Sequence, residues 1–156
     1  MWVYVVTFLK IILNSETETQ QFARTLARNA NTPLVIYLQG DLGVGKTTFA
    51  RSFIQFFGFD KVKSPTYSLV ESYQNDKINI HHFDCYRLSD PEELEYIGIR
   101  EYSKDNHIQL IEWPNLGENM IASADLIIEL SGNNETRELM LTAQNNIGKE
   151  LLQCVI

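Results

Sequence analysis

The sequence predicts a three-layer α/β sandwich built on a mainly parallel sheet with an antiparallel extension. Two patterns carry that reading. Strand-length apolar runs alternate with helix-periodic segments through the first half of the chain, the order that builds parallel sheets. Late in the chain, two alternating runs flank a short polar turn, which is the pattern of a hairpin. Length agrees: 156 residues, 44% hydrophobic and 21% charged, suit one globular domain over residues 1–156 and exclude a disordered or collagen-like chain.

The elements follow in order. Met1 to Leu13 is apolar apart from Thr7 and Lys10, and reads as a strand or pair of strands, with residues 1–7 as an extra N-terminal extension. It lacks the basic flank and cleavage site of a signal peptide and is far short of a membrane span of ~20 residues. Ser15-Glu16-Thr17-Glu18 is a capping-box pattern, and Phe22, Leu26 and Ala27 continue at helical spacing until Thr32-Pro33. Leu34 to Leu38 is a buried parallel strand by its continuous apolar run. A glycine-rich turn, Gly40 to Gly45, leads into a helix from Thr47 to Phe57 that Gly58 stops. Strands are expected at Tyr67–Tyr73 and Ile78–Asp84, split by Asn75-Asp76. Ser89 to Glu92 is a second capping-box pattern with Pro91 early in a short helix that Gly98 ends. Ile108 to Glu112 is another strand, Leu126–Leu130 and Glu138–Thr142 form the hairpin, and Gly148–Ile156 closes the chain as a short helix.

Charge narrows the function classes. Thirteen basic against twenty acidic residues give a net −7, which disfavours an autonomous nucleic-acid binder and a polybasic membrane binder. The acidity is uneven: residues 40–63 carry +2 and residues 64–101 carry −5, so the second stretch is a candidate face for protein partners. Cys85 and Cys154 form no disulfide framework and no metal-spaced cluster, as expected of reduced thiols in a cytoplasmic protein. His81, His82 and His107 lack metal-site spacing and read as strand or loop residues.

One segment carries chemistry. Gly40-Asp41-Leu42-Gly43-Val44-Gly45-Lys46-Thr47 fits G-x-x-x-x-G-K-[ST], which chance gives in about one chain of this length per two hundred. It follows a strand and opens a helix, as phosphate binding requires. Glycines bring backbone N–H groups against phosphate oxygens, the helix end attracts the anion, Lys46 reaches the β- and γ-phosphates and Thr47 ligates Mg²⁺. The sandwich is therefore expected to be P-loop NTPase-like. Such a site needs a strand-end acid for metal or water, and both Asp84 and Glu112 qualify. No Asn-Lys-x-Asp segment is present to read guanine, which favours ATP. Arg87 is a candidate arginine finger in cis, or the partner of a nearby acid. A small-molecule or nucleoside kinase is the rival enzyme reading, but the segment after Glu112 has no arginine-rich lid. A nucleotide-gated adaptor without useful hydrolysis is the rival binding module.

Four segments together go further. Gly40 to Thr48, Ser64-Pro65-Thr66-Tyr67-Ser68-Leu69-Val70, His82-Phe83-Asp84-Cys85-Tyr86-Arg87-Leu88 and Glu112-Trp113-Pro114 closely resemble, in order and spacing, the bacterial TsaE (YjeE) family. Asp90 to Glu95 and Gly98 to Tyr102 extend the match, which runs from about Phe8 to about Leu152. The resemblance implies a small Mg²⁺-dependent ATPase, weak alone, that supports turnover of the TsaB–TsaD complex in making tRNA threonylcarbamoyladenosine. It implies contact with tRNA only through that complex. It also implies a phosphate cradle over Gly40, Asp41, Leu42, Gly43, Val44, Gly45, Lys46, Thr47 and Thr48. Thr47 and Glu112 match its Mg²⁺-linked positions, and Asp84 a carboxylate near metal and water. Thr66 matches a switch loop, and Trp113, Glu16 and Arg137 match positions that approach the nucleotide. Cys85 departs from the pattern, standing where a leucine-like residue is common.

Overall fold

The computed structural model describes residues 6–133 and 135–156, so the expectation for residues 1–5 lies outside it. Seven strands form one sheet: β1 (Phe8–Leu13), β2 (Leu34–Gln39), β3 (Val70–Gln74), β4 (Asn79–Asp84), β5 (His107–Glu112), β6 (Leu126–Asn133) and β7 (Thr136–Ala143). The spatial order is β1-β7-β6-β2-β5-β4-β3. The four central strands, β6-β2-β5-β4, run parallel, and antiparallel pairing occupies both edges, β7 and β1 on one side and β3 on the other. The mainly parallel sheet with an antiparallel extension is therefore correct, and the extension exists at both ends.

The pleat sorts the two layers. Leu34, Ile36, Leu38, Ile80, Ile108, Leu110, Leu126 and Ile128 point to one face, where they pack with Leu26, Phe49, Phe53, Ile54 and Leu152. Those partners come from α1 (Glu16–Asn29), α2 (Lys46–Phe56) and α4 (Asn146–Val155). The alternate residues Val35, Tyr37, Phe83 and Ile111 face a smaller cluster around Leu94 and Ile99. That second layer is thin, built from α3 (Glu93–Tyr96) and the 3-10 turns Ile99–Tyr102, Pro114–Leu116 and Glu118–Met120.

Local chemistry sets the helix starts. Ser15 caps α1 by accepting from the Glu18 backbone N–H at 3.1 Å, while the Glu18 carboxylate accepts from Asn14 N–H at 2.6 Å. The box thus closes one residue earlier than the standard pattern. Asn145 caps α4 by accepting from Gly148 N–H at 3.1 Å and donates from Nδ2 to Asp125 at 2.6 Å. The structure does not form the second expected box. Asp90, not Ser89, accepts from Glu92 N–H at 3.0 Å, and α3 is a single turn without a side-chain cap.

Strand boundaries also move: the hairpin strands run on to Asn133 and from Thr136, and β3 starts late. Tyr67 and Ser68 do not join β3. They lie in a turn that ends at Leu69, whose N–H donates to Pro65 at 2.9 Å and whose φ is +72°. This turn projects Tyr67, 86% exposed, over the carboxyl ends of the strands. Among the described residues no helix is long and apolar enough to cross a membrane, and both cysteines are free thiols.

Candidate functional site

β2 is the central switch of the sheet: β5 lies on one side of it and β6 on the other, both parallel. Crevices outside the carboxyl ends of such strands are where α/β sheets bind ligands. The Gly40–Gly45 turn leaves β2 at that end and delivers the chain into α2. Gly45 stands at the N-cap in a left-handed conformation, so α2 begins without a side-chain cap. Its first N–H groups are left for an anion. Gly43, φ +76°, has nothing within 4 Å of where a Cβ would sit, so the rim of the turn is open.

The charged groups converge next to it. Lys46, although only 4% exposed, donates from Nζ to the carbonyls of Gly40 and Asp41 at 2.5 and 2.8 Å. Its Nζ also lies 4.5 Å from the centre of the Trp113 ring. Burial lowers its pKa, against the opposing influence of Glu112, Asp84 and Asp41. Asp84 and Glu112 are register partners at the ends of β4 and β5. Both are nearly buried, and Thr47 Oγ1 lies 3.4 Å from each Glu112 carboxylate oxygen. Asp84 Oδ1 accepts from Tyr86 N–H at 3.0 Å. Burial raises the Asp84 pKa, with Glu112 adding to the rise, while the Tyr86 N–H, His82 and Lys46 oppose it.

These groups line one cleft of about 450 Å³, shared by Leu42, Gly43, Gly45, Lys46, Thr47, Thr48, Thr66, Asp84, Glu112 and Trp113. A neighbouring recess of about 190 Å³ shares Gly43, Gly45 and Thr48 with it and adds Glu16, Val44 and Arg137. Arg137 reaches it from β7 and donates from Nε to the Val44 carbonyl at 2.6 Å. Gly40 and Asp41 border a third cavity with Trp113 on the other side of the turn, and Asp41 meets Lys46 through its backbone carbonyl. The fold thus brings every residue predicted to hold nucleotide or metal to this end of the sheet.

Of the two readings of Arg87, the partner of a nearby acid is the one the structure does not form. Arg87 makes no ion pair among the described residues; its guanidinium lies 4.5 Å from the centre of the exposed Tyr67 ring, at the mouth of the cleft. The acidic stretch is also partly neutralised, by Arg100 within it through Glu95 and by Lys104 just beyond it through Glu101, each at 3.0 Å.

Some site residues escaped the sequence reading. Thr19 and Glu135 line the smaller recess, and Tyr86 lines the main cleft. His82 is the most consequential: its Nε2 lies 2.5 Å from Glu112 Oε2 in a fully buried pair. Its position two residues before Asp84, on the same strand face, was the available signal.

The donor set fits a divalent cation and a polyphosphate: a hydroxyl and two carboxylates, all oxygen ligands, beside a lysine and uncapped helix N–H groups. The fold is similar to the crystal structure of Bacillus subtilis YdiB, with a TM-score of 0.80 and 27% identity over 98% of this chain and 97% of that one. The sequence is 43% identical to the tRNA threonylcarbamoyladenosine biosynthesis protein TsaE of Haemophilus influenzae, covering 85% of each chain. It is 36% identical to the Bacillus subtilis protein of that name over 83% of this chain and 82% of the relative. The model of the family described as threonylcarbamoyl adenosine biosynthesis protein TsaE matches residues 13–139. With that match across most of its length, and with its P-loop motif, strand-end acids and Thr66 gathered at one end of the sheet, the chain belongs to the TsaE family.

Proposed function

We propose that this chain is a single-domain cytoplasmic ATPase of the machinery that makes threonylcarbamoyladenosine in tRNA, acting with TsaB and TsaD and reaching tRNA only through them. The observation that supports this most is the convergence of Lys46, Thr47, Asp84 and Glu112 on one cleft. Bound Mg²⁺ would supply charge neutralisation on the β- and γ-phosphates. Thr47 and Glu112, with Asp84 beside them, are the residues that would hold it. Lys46 exchanges its carbonyl partners on Gly40 and Asp41 for phosphate oxygens. Asp84, its carboxyl pKa raised by burial, is suited to orient and deprotonate a water. Glu16 and Arg137 serve the nucleoside end of ATP, Trp113 flanks the lysine, and Thr66 belongs to the turn that senses the γ-phosphate.

Arg87 rests on Tyr67 at the cleft mouth, so it is not held toward the phosphate site as an arginine finger. Hydrolysis is accordingly slow alone and is accelerated by the partners. Phosphate release measured with and without TsaB–TsaD tests this; equal rates reject partner dependence. Lys46→Ala and Asp84→Ala are each expected to abolish complex-stimulated tRNA modification, and cells carrying only such a variant with normal modified-base levels would contradict the assignment. Hydrolysis is favoured over a purely adaptor role because two buried carboxylates stand beside Lys46 and Thr47, where water can be polarised.

A further inference from the structure

His82 is completely buried on β4, on the same face of the sheet as α2. Its Nε2 lies 2.5 Å from Glu112 Oε2, and its Nδ1 is buried with no hydrogen-bond partner among the described residues. The two atoms together call for a hydrogen on Nε2. A hydrogen on Nδ1 alone would leave a buried donor orphaned and put two acceptors, Nε2 and the carboxylate, face to face. The hydrogen therefore sits on Nε2 and is donated to Glu112. That bond, with Thr47 Oγ1 at 3.4 Å from both oxygens, fixes the rotation of a carboxylate whose backbone is already pinned by Cys85 N–H donating to the Glu112 carbonyl at 3.0 Å. Oε2 is tied back into the protein, and the remaining capacity of the group is turned toward Thr47 and the cleft. The imidazole donor also offsets part of the repulsion between Glu112 and its register neighbour Asp84.

We propose that His82 is a positioning residue that sets the orientation of Glu112 toward a divalent cation, an inference that rests on the reading of this cleft as an Mg²⁺-nucleotide site. Outer partners of metal-binding carboxylates act in this way, and their loss typically weakens metal affinity 10–100-fold. A residue that served packing alone would tolerate an apolar ring of similar size.

The test compares His82→Phe, which fills the site without a donor, with His82→Gln, which keeps one. Binding of a fluorescent ATP analogue is titrated without metal and then with increasing Mg²⁺, alongside circular dichroism and turnover. Metal-free binding is expected within about twofold of wild type in both variants, whereas the Mg²⁺ requirement rises roughly tenfold or more in His82→Phe and is largely restored in His82→Gln. In turnover, kcat at limiting Mg²⁺ falls with little change in KM. Wild-type Mg²⁺ dependence in His82→Phe, or equal losses with and without metal in both variants, overturns the proposal. A measurement on the unmodified chain stands if neither variant folds: nitrogen-15 NMR of the histidine side chains is expected to find hydrogen on His82 Nε2, and an Nε2 without hydrogen overturns the proposal. If the wild type itself shows no Mg²⁺-dependent nucleotide binding, the reading of the cleft fails and this inference with it. If the wild type binds and the variants match it, only the inference fails.

Discussion

Gly40 and Gly43 both adopt positive φ in the turn between β2 and α2, yet for different reasons. At Gly40, φ +142°, a Cβ would stand 2.4 Å from the Leu130 carbonyl oxygen and 2.9 Å from Val44 Cγ1. The turn passes so close to β6 that no side chain fits, whatever the conformation. At Gly43, φ +76°, the space is open and only the backbone conformation disfavours a side chain. Gly40→Ala is therefore expected to destabilise the fold by roughly 3 kcal/mol, from strain plus overpacking, and to lower the melting temperature by roughly 10 °C. Gly43→Ala is expected to cost only about 1–2 kcal/mol. Thermal melts of the two variants check the ranking, and the reverse order would contradict the contact argument. Sequence identified both positions as phosphate-loop glycines but could not rank them, because the decisive atom, the Leu130 carbonyl, belongs to a strand ninety residues away.

Among the elements, α4 shows how a terminal helix is locked to the sheet. Asn145 caps it and also donates to Asp125, whose other carboxylate oxygen accepts from Val35 N–H at 2.7 Å on β2. One acidic side chain thereby joins α4, the start of β6 and the central strand. Asn145→Ala removes the cap and the Asp125 contact, with an expected cost of about 1–2 kcal/mol. Nucleotide affinity should stay at the wild-type value, since α4 lies away from the phosphate turn; chemical denaturation and nucleotide titration check the two halves separately. The same scale shows where pattern reading shifts boundaries. Tyr67 to Leu69 alternates like a strand, but a left-handed Leu69 and a Pro65 carbonyl convert it into a turn beside the cleft that Thr66 lines. At α3, the helix starts three residues later than the Ser89 box implies, with Glu92 at an N-cap that no side chain caps, and Asp90 instead holds the preceding turn by accepting from Glu92 N–H.

For the whole molecule, stability is linked to pH through a histidine cluster on the other face of the sheet from His82, between His81 in β4 and His107 at the start of β5. His81 Nε2 lies 2.6 Å from His107 Nδ1, its Nδ1 lies 2.8 Å from Ser72 Oγ, and its ring meets Tyr102 edge-on at 4.5 Å between centroids. Burial, with the neighbouring His107 assisting, pushes His81 down to about 4 from its usual 6.5. The folded protein therefore binds this proton less readily than the unfolded chain does. Stability from this group is complete above pH 6.5, is lost as pH falls from 6.5 toward 4, and levels off below. The loss amounts to at most about 3 kcal/mol. Melting curves across that window are expected to show the decline, and His81→Gln should flatten it; an unchanged slope would contradict the assignment to His81.

The extent of what the sequence determined by itself follows from the range of the interactions involved. The P-loop, the helix caps at Ser15, the turn at Asn75 and the central apolar strands depend on neighbours within a few residues, so local patterns carried them. The pairing of strand-end acids with a P-loop was legible too, because that chemistry requires them. Tertiary structure alone decided which groups meet. It set Asp84 and Glu112 in register, brought Arg137 from β7 to the Val44 carbonyl, and laid Arg87 on Tyr67 instead of against an acid. It also placed His82 in a dry contact with Glu112, thirty residues distant. Such contacts arise from strand order and pleat. A crossover can bring any two strand ends together, and nothing in the local sequence records which two.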